Sequence, residues 1–194
     1  REVKICNDFS MNKENEILII TGSNMSGKST FLKSIGVNMC LANTGAPVNA
    51  DHLKLSLFEL FTCIKVNDSV SDGISYFYAE VKRLRELLDE FGNERHLPVF
   101  FLIDEIFKGT NNKERLQGSR AYIKRLSELN GCGAVTTHDL ELVYLADEIN
   151  KITNYHFREE IENDKMVFDY LLHKGPCPTT NALRIMELSG LPVK

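Results

Sequence analysis

Several things are scarce in this chain of 194 residues, and each scarcity closes off a class of function. No apolar run approaches the ~18–20 residues that a membrane-spanning helix needs, and no basic stretch followed by an apolar one opens the chain. No membrane partner is expected. Cysteine is sparse and scattered: Cys6, Cys40, Cys63, Cys132 and Cys177 are odd in number and form no C-x-x-C pair. That argues against a zinc or disulfide framework and for a reduced, intracellular compartment. Excess positive charge is missing too, since the formal net charge is −4. Affinity for free DNA comes largely from Lys and Arg neutralising phosphates, so any DNA contact must be local or lie outside this chain. Internal repeats, low-complexity tracts and long coiled-coil heptads are also absent. The chain opens on Arg1 rather than a methionine and enters a strand-like segment at once, so it is expected to be a piece of a longer protein.

With 43% hydrophobic residues the chain can bury one substantial core, and a single domain over residues 1–194 is the default. The most informative stretch is Gly22-Ser23-Asn24-Met25-Ser26-Gly27-Lys28-Ser29-Thr30, which follows the pattern G-x-x-x-x-G-K-[ST]. Its context strengthens it: Ile17 to Ile20 reads as a buried strand, and Phe31 to Cys40 continues with helical spacing. Glycines at both ends of such a loop let successive amides point inward at a phosphate, and the following helix N-terminus adds partial positive charge. Lys28 is then expected to reach the β- and γ-phosphates of a nucleotide, and the Ser29 hydroxyl to ligate Mg²⁺.

Further along, Val3 to Ile5 reads as a short strand, and two strands ahead of the loop suggest an antiparallel sheet edge. Leu57 to Val66 reads as a strand, and the segment from Ser75 to Phe91 as a long amphipathic helix. Val99 to Ile103 has the unbroken apolar character of a central strand. Asn111 or Asn112 can cap a helix to about Leu129, which Gly131-Cys132-Gly133 stops before a short strand at Ala134 to Thr136. Asp139 or Thr137 can cap a short helix through Leu142 and Ala146. Lys151 to Phe157 and Met166 to Leu172 read as paired strands, and Asn181 to Ser189 as a last helix. Strands and helices in alternation predict an α/β fold with a mainly parallel, doubly wound sheet and antiparallel edge strands.

Asp104 ends the apolar strand, where ligands bind in open α/β sheets, and is the natural partner of Ser29 on Mg²⁺. Glu105, next in line at a fraying strand end, can face the γ-phosphate and orient a water for in-line attack. A metal carboxylate followed by a general base favours hydrolysis over transfer to a second substrate. His138 follows the third apolar strand, where either a γ-phosphate sensor or a surface histidine would suit. Ser75 suits either an ordinary helix cap or a phosphate contact, and spacing does not separate the two.

With these pieces in place, the chain resembles the ATPase domain of the MutS family of DNA mismatch-repair proteins over nearly all its length. Thr21 to Thr30 is close to that family's phosphate loop, including Asn24 and Met25, and Gly45 to Ala50 resembles the loop after its first helix. Asp68 to Glu80 resembles its signature segment, with Ser75-Tyr76-Phe77 where Ser-Thr-Phe is usual. Asp104 to Thr110 resembles DEIGRGT, departing at Phe107 and Lys108; Thr137-His138-Asp139 resembles its histidine switch, and Phe168 to Pro192 its closing segment. The resemblance implies a P-loop NTPase of ABC type, cut from the C-terminal part of its parent protein. It also implies ATP and Mg²⁺ as ligands, with Asp104 on the Mg²⁺ side, Glu105 as base, His138 as γ-phosphate sensor, and Ser75 reaching the nucleotide of a second subunit. A homodimer, DNA held by domains missing from this chain, and a cytoplasmic, prokaryote-like, DNA-associated setting follow. The departures at Tyr76, Phe107 and Lys108 suggest a divergent branch. A nucleotide-gated dimerisation module, acting in recombination control or another DNA transaction without mismatch recognition, is the alternative. An SMC or transporter ATPase is disfavoured because no Leu-Ser-Gly-Gly signature occurs, and a small-molecule kinase because no arginine-rich lid stands out.

Overall fold

A computed structural model describes residues 4–13, 15–64, 76–92, 97–129, 131–162 and 165–178. Ser75 and the helix expected over Asn181 to Ser189 lie outside the described residues. The elements in order are β1 (Ile17–Thr21), α1 (Lys28–Asn43), β2 (Glu59–Cys63), α2 (Tyr76–Glu90), β3 (Val99–Asp104), α3 (Asn112–Glu128) and β4 (Cys132–Thr137). A 3-10 turn at Leu140–Tyr144 leads into the one-turn helix α4 (Leu145–Glu148), and β5 (Ile152–Glu162) and β6 (Lys165–Lys174) follow.

The six strands form one mixed sheet in the order β2-β3-β4-β1-β5-β6. The first five are mutually parallel, and β6 runs antiparallel to β5. Alternation along the central strands explains why both faces need covering. Ile17 and Ile19 of β1, with Phe101 and Ile103 of β3, join a cluster containing Leu84 and Leu87 of α2 and Ile123 and Leu126 of α3. Leu18 and Ile20, with Phe100 and Leu102, point the other way onto Leu32, Ile35 and Met39 of α1. Every residue of β1 and β3 is buried, as the unbroken apolar runs require of strands sandwiched between helices. Full burial of each such Ile, Leu or Phe side chain stabilises by about 1.5–3 kcal/mol.

Helix boundaries follow local chemistry. Asn111 caps α3, its side-chain oxygen accepting from Glu114 N at 3.0 Å. Gly131 precedes the strand, but Cys132 and Gly133 are part of β4 rather than of the helix stop. The strand expected at Val3 to Ile5 is not formed by its described residues, Lys4 and Ile5. Asn7 instead holds this segment on the sheet edge: its Nδ2 donates to Tyr170 O at 2.9 Å and its Oδ1 accepts from Leu172 N at 2.6 Å. Side-chain bonds replace a backbone ladder there, and the antiparallel edge comes from the β5–β6 pair. Among the described residues no helix is long and apolar enough to cross a membrane.

Candidate functional site

The parallel strands end along one edge of the sheet, and the described residues of the expected site, from the loop to Asp104, Glu105 and His138, lie there. The chain leaves β1 at Gly22, whose φ of 145° belongs to the glycine-favoured region. A Cβ at Gly22 would lie 2.6 Å from Phe157 O, so the loop turns against β5 only because that position is bare. Gly27 (φ 109°) then closes the loop and starts α1, which has neither a side-chain cap nor an acidic residue in its first turn. The first-turn amides therefore keep their positive end of the helix dipole. Met25 adopts φ 72° at the loop tip and is 85% exposed, as is appropriate for a side chain that the loop itself does not use. Asn24 and Thr30 are exposed, whereas Ser26 is buried and donates its hydroxyl to Ser23 O at 2.9 Å.

Lys28 is buried under the loop, its Nζ donating to Gly22 O and Ser23 O, both at 2.6 Å. Burial pushes its pKa down, while the nearby Glu105 and Asp104 charges oppose that shift. Ser29 Oγ lies 2.9 and 2.7 Å from the two oxygens of Asp104, joining the start of α1 to the end of β3. Thr136 Oγ1 of β4 donates to Asp104 Oδ1 at 2.7 Å and accepts from Glu105 N at 3.2 Å. This buried hydroxyl ties the Asp104 carboxylate to the backbone of Glu105, and its place near the end of a short apolar strand is the only hint of it in the sequence.

Glu105 departs from strand geometry with φ 61°. That left-handed turn sends it away from the alternation of β3, at a cost of roughly 1–3 kcal/mol that surrounding contacts must offset. One carboxylate oxygen lies 3.5 Å from His138 Nδ1 and the other 3.3 Å from Lys108 Nζ. The expected base and the expected sensor are therefore neighbours. Phe107 is also left-handed, at φ 58°, although the related DEIGRGT pattern has glycine there. Its ring is held between Phe77 and Tyr122, with centroids 6.3 Å away in both cases.

Asp139 does not cap the 3-10 turn through its side chain. It forms a bidentate pair with Arg115 of α3, at 2.8 and 2.7 Å, which outcompetes a cap because both oxygens are engaged by a planar guanidinium. The Thr137 hydroxyl accepts from Asp139 N at 3.0 Å. Two further residues had a weak sequence signal. Glu80 and Arg115 are charged positions at helical spacing on the apolar stripes of α2 and α3, where a charge needs a partner. Tyr170 had none: it takes φ 54° in β6, is 43% exposed, and its ring would lie 3.6 Å from a Cβ at Gly27.

The donor set suits a phosphate and a hard cation. Ser23 Oγ is buried with no hydrogen-bond partner inside the loop. The buried Lys28 ammonium has only loop carbonyls as neutral acceptors. Ser29 and Asp104 supply adjacent oxygens of the kind Mg²⁺ takes, with phosphate and water completing its shell. Among the described residues no group of three or more His, Cys, Asp or Glu could hold a metal ion.

A family model described as MutS domain V matches residues 18–194. The chain is 33% identical over 189 residues to the DNA mismatch repair protein MutS of Geobacillus thermodenitrificans, covering 96% of this chain and 20% of that protein. It is 33% identical over 190 residues to the protein of the same name from Lactobacillus delbrueckii subsp. bulgaricus, covering 97% and 22%. To that of Aquifex pyrophilus it is 31% identical over 188 residues, covering 96% and 22%. The chain thus spans about a fifth of the length of the curated relatives it matches. A match that takes in the loop, both carboxylates and the histidine in one continuous stretch places the chain in the MutS domain V family.

Proposed function

We propose that this chain is the ATP-binding and hydrolysing domain of a MutS-like DNA repair protein, with a P-loop NTPase fold of ABC type. The observation that carries this reading is the convergence of Lys28, Ser29, Asp104, Glu105 and His138 on one sheet edge, through contacts of 2.7 to 3.5 Å for all but Lys28. Lys28 sits under the same loop, within the field of both acids. The loop from Gly22 to Thr30 wraps the phosphates, with its amides and the Ser23 hydroxyl donating. Lys28 exchanges its loop carbonyls for β- and γ-phosphate oxygens. Ser29 and Asp104 would hold Mg²⁺, which would supply positive charge against the phosphates. The exposed face of Tyr170, beside Gly27, is placed to stack on the base.

Glu105 takes a proton from a water whose oxygen attacks the γ-phosphorus; the bond to the β–γ bridging oxygen breaks, and ADP and phosphate leave. His138, beside Glu105, donates to a γ-phosphate oxygen. A second subunit, in the first instance another copy of this chain, completes the site through Ser75. Nucleotide held between two subunits favours the closed dimer by its differential affinity, and hydrolysis removes that bias, driving a clamp on DNA bound by other domains in the cytoplasm.

The test is ATPase rate per subunit against protein concentration, with molar mass by light scattering, for the native sequence and Glu105→Gln. Activity per subunit should rise with concentration, and Glu105→Gln should bind ATP, form a dimer and turn over at least about 100-fold more slowly. Unchanged turnover in Glu105→Gln removes it as the base; a persistently monomeric sample of undiminished activity removes the shared site.

A further inference from the structure

Glu80 is an acid on the wrong face of its helix. It lies between Phe77 and Leu84 on the side of α2 that packs into the core, and only 2% of it is exposed. Burial pushes its carboxyl pKa up, and two backbone donors counter that. Both come from the loop after Glu105: Phe107 N donates to Oε1 at 2.6 Å and Lys108 N to Oε2 at 3.1 Å. The clamped residues therefore include Phe107, one of the two left-handed non-glycine residues that bend this loop; Glu105 is the other. Only Ile106, itself buried, separates them. Whatever fixes Phe107 sets the direction in which Glu105 leaves β3.

A second contact ties the same two elements independently. A Cβ at Gly109 would lie 2.7 Å from Phe77 Cβ and 3.2 Å from Phe77 Cα, so the far end of the loop rests directly on the first turn of α2. The Phe77 ring in turn meets the Phe107 ring. The start of α2 and the loop from Glu105 to Gly109 are joined by a buried carboxylate, an aromatic contact and a close backbone approach. Elements joined in this way shift together rather than separately.

We propose that Glu80 is a positioning residue that transmits the placement of α2 to Glu105, so that the rate of hydrolysis depends on how α2 sits against the loop from Glu105 to Gly109. The inference rests on Glu105 being the base. A Gln at position 80 keeps the shape but can accept only one of the two N–H groups, since its amide nitrogen faces the other. Gly109→Ala disturbs the same linkage without touching any charge.

The test uses the full-length protein and measures kcat, KM, equilibrium ATP affinity and Tm for Glu80→Gln, Glu80→Ala and Gly109→Ala beside Glu105→Gln. Glu80→Gln and Gly109→Ala should lower kcat about 10- to 100-fold, because small misplacements of a reacting group cost that much. ATP affinity should stay within about 2-fold, the pattern of an interaction felt only in the transition state. If Glu80→Ala fails to fold, the other two variants carry the result. Turnover of Glu80→Gln close to that of the native sequence, or a parallel fall of kcat and ATP affinity in both folded variants, overturns the proposal. Normal turnover in Glu105→Gln removes the base assignment and the role of Glu80 with it. An inactive Glu105→Gln beside a fully active Glu80→Gln removes the role of Glu80 alone.

Discussion

The pair between Arg115 and Asp139 offers the sharpest energetic test of this structure. The side chains are 11% and 16% exposed and share two hydrogen bonds of 2.8 and 2.7 Å. Arg115→Met keeps a long unbranched stem at this buried position, yet strands the Asp139 carboxylate in a largely dry site. Breaking one side of a fully buried pair costs about 3–5 kcal/mol, and the residual exposure here puts the expectation nearer 2–3 kcal/mol. Asp139→Leu should cost a similar amount, because it leaves the guanidinium without its partner. The double variant, with neither charge, should be more stable than the sum of the single costs predicts, by about 1.5–2 kcal/mol. The assay is urea unfolding followed by far-UV circular dichroism, since the chain has no tryptophan to report by fluorescence. Strict additivity, or a single-variant cost below about 0.5 kcal/mol, would show that the pair is no more than a surface contact.

The same pair fixes the sign of a pH effect. Hydrogen bonds from Arg115 hold the Asp139 carboxyl below the usual carboxylate range. A depressed folded-state pKa contributes stability that is fully present above the unfolded value, ~3.9, and is lost as pH falls through the folded one. The stability gap between the native sequence and Asp139→Leu should therefore be constant from neutral pH to about pH 5 and shrink only in stronger acid. A gap that closed near neutrality would contradict the assignment to Asp139.

Other outcomes are equally concrete. Lys28→Ala should lose ATP binding by at least about 100-fold in calorimetric titration, because Lys28 is the cation that lies buried beneath the loop among the described residues; affinity within a few-fold of the native value would contradict the assignment. Tyr170→Ala should weaken nucleotide binding by about 1–2 kcal/mol, the worth of one base–aromatic stack, while Tyr170→Phe keeps it, in a fluorescent-nucleotide titration. Equal binding by both variants would remove the base from that face of β6.

Some of this was legible in residue order because it is local. A strand, two glycines at fixed spacing, a lysine and a helix specify the loop from Gly22 to Thr30 with nothing from the rest of the chain. Asn111 announces its cap by standing three residues before Glu114, and the unbroken run from Val99 to Ile103 announces a strand buried on both faces. Asp104 and Glu105 could be assigned to a strand end for the same reason. The Val3 to Ile5 segment misled because its apolar residues resemble a strand, whereas the Asn7 amide supplies the edge hydrogen bonds. Asp139 misled because a cap and an ion-pair partner call for the same residue type.

By itself, then, the sequence determined most of the elements, the loop and which residues are candidates for the chemistry, all of which depend on neighbours a few residues away. Only the tertiary structure decided who meets whom. The order β2-β3-β4-β1-β5-β6 sets β1 between β4 and β5, and β3 beside β4, which brings Ser29 to Asp104 and Glu105 to His138. It also gives the two charges buried on helix faces their partners, Arg115 to Asp139 and Glu80 to the amides of Phe107 and Lys108. Strand order cannot be read from a strand's own residues, because one apolar strand offers the same backbone ladder to any other. It is settled by which arrangement buries both sheet faces under helices while leaving no buried charge unpaired.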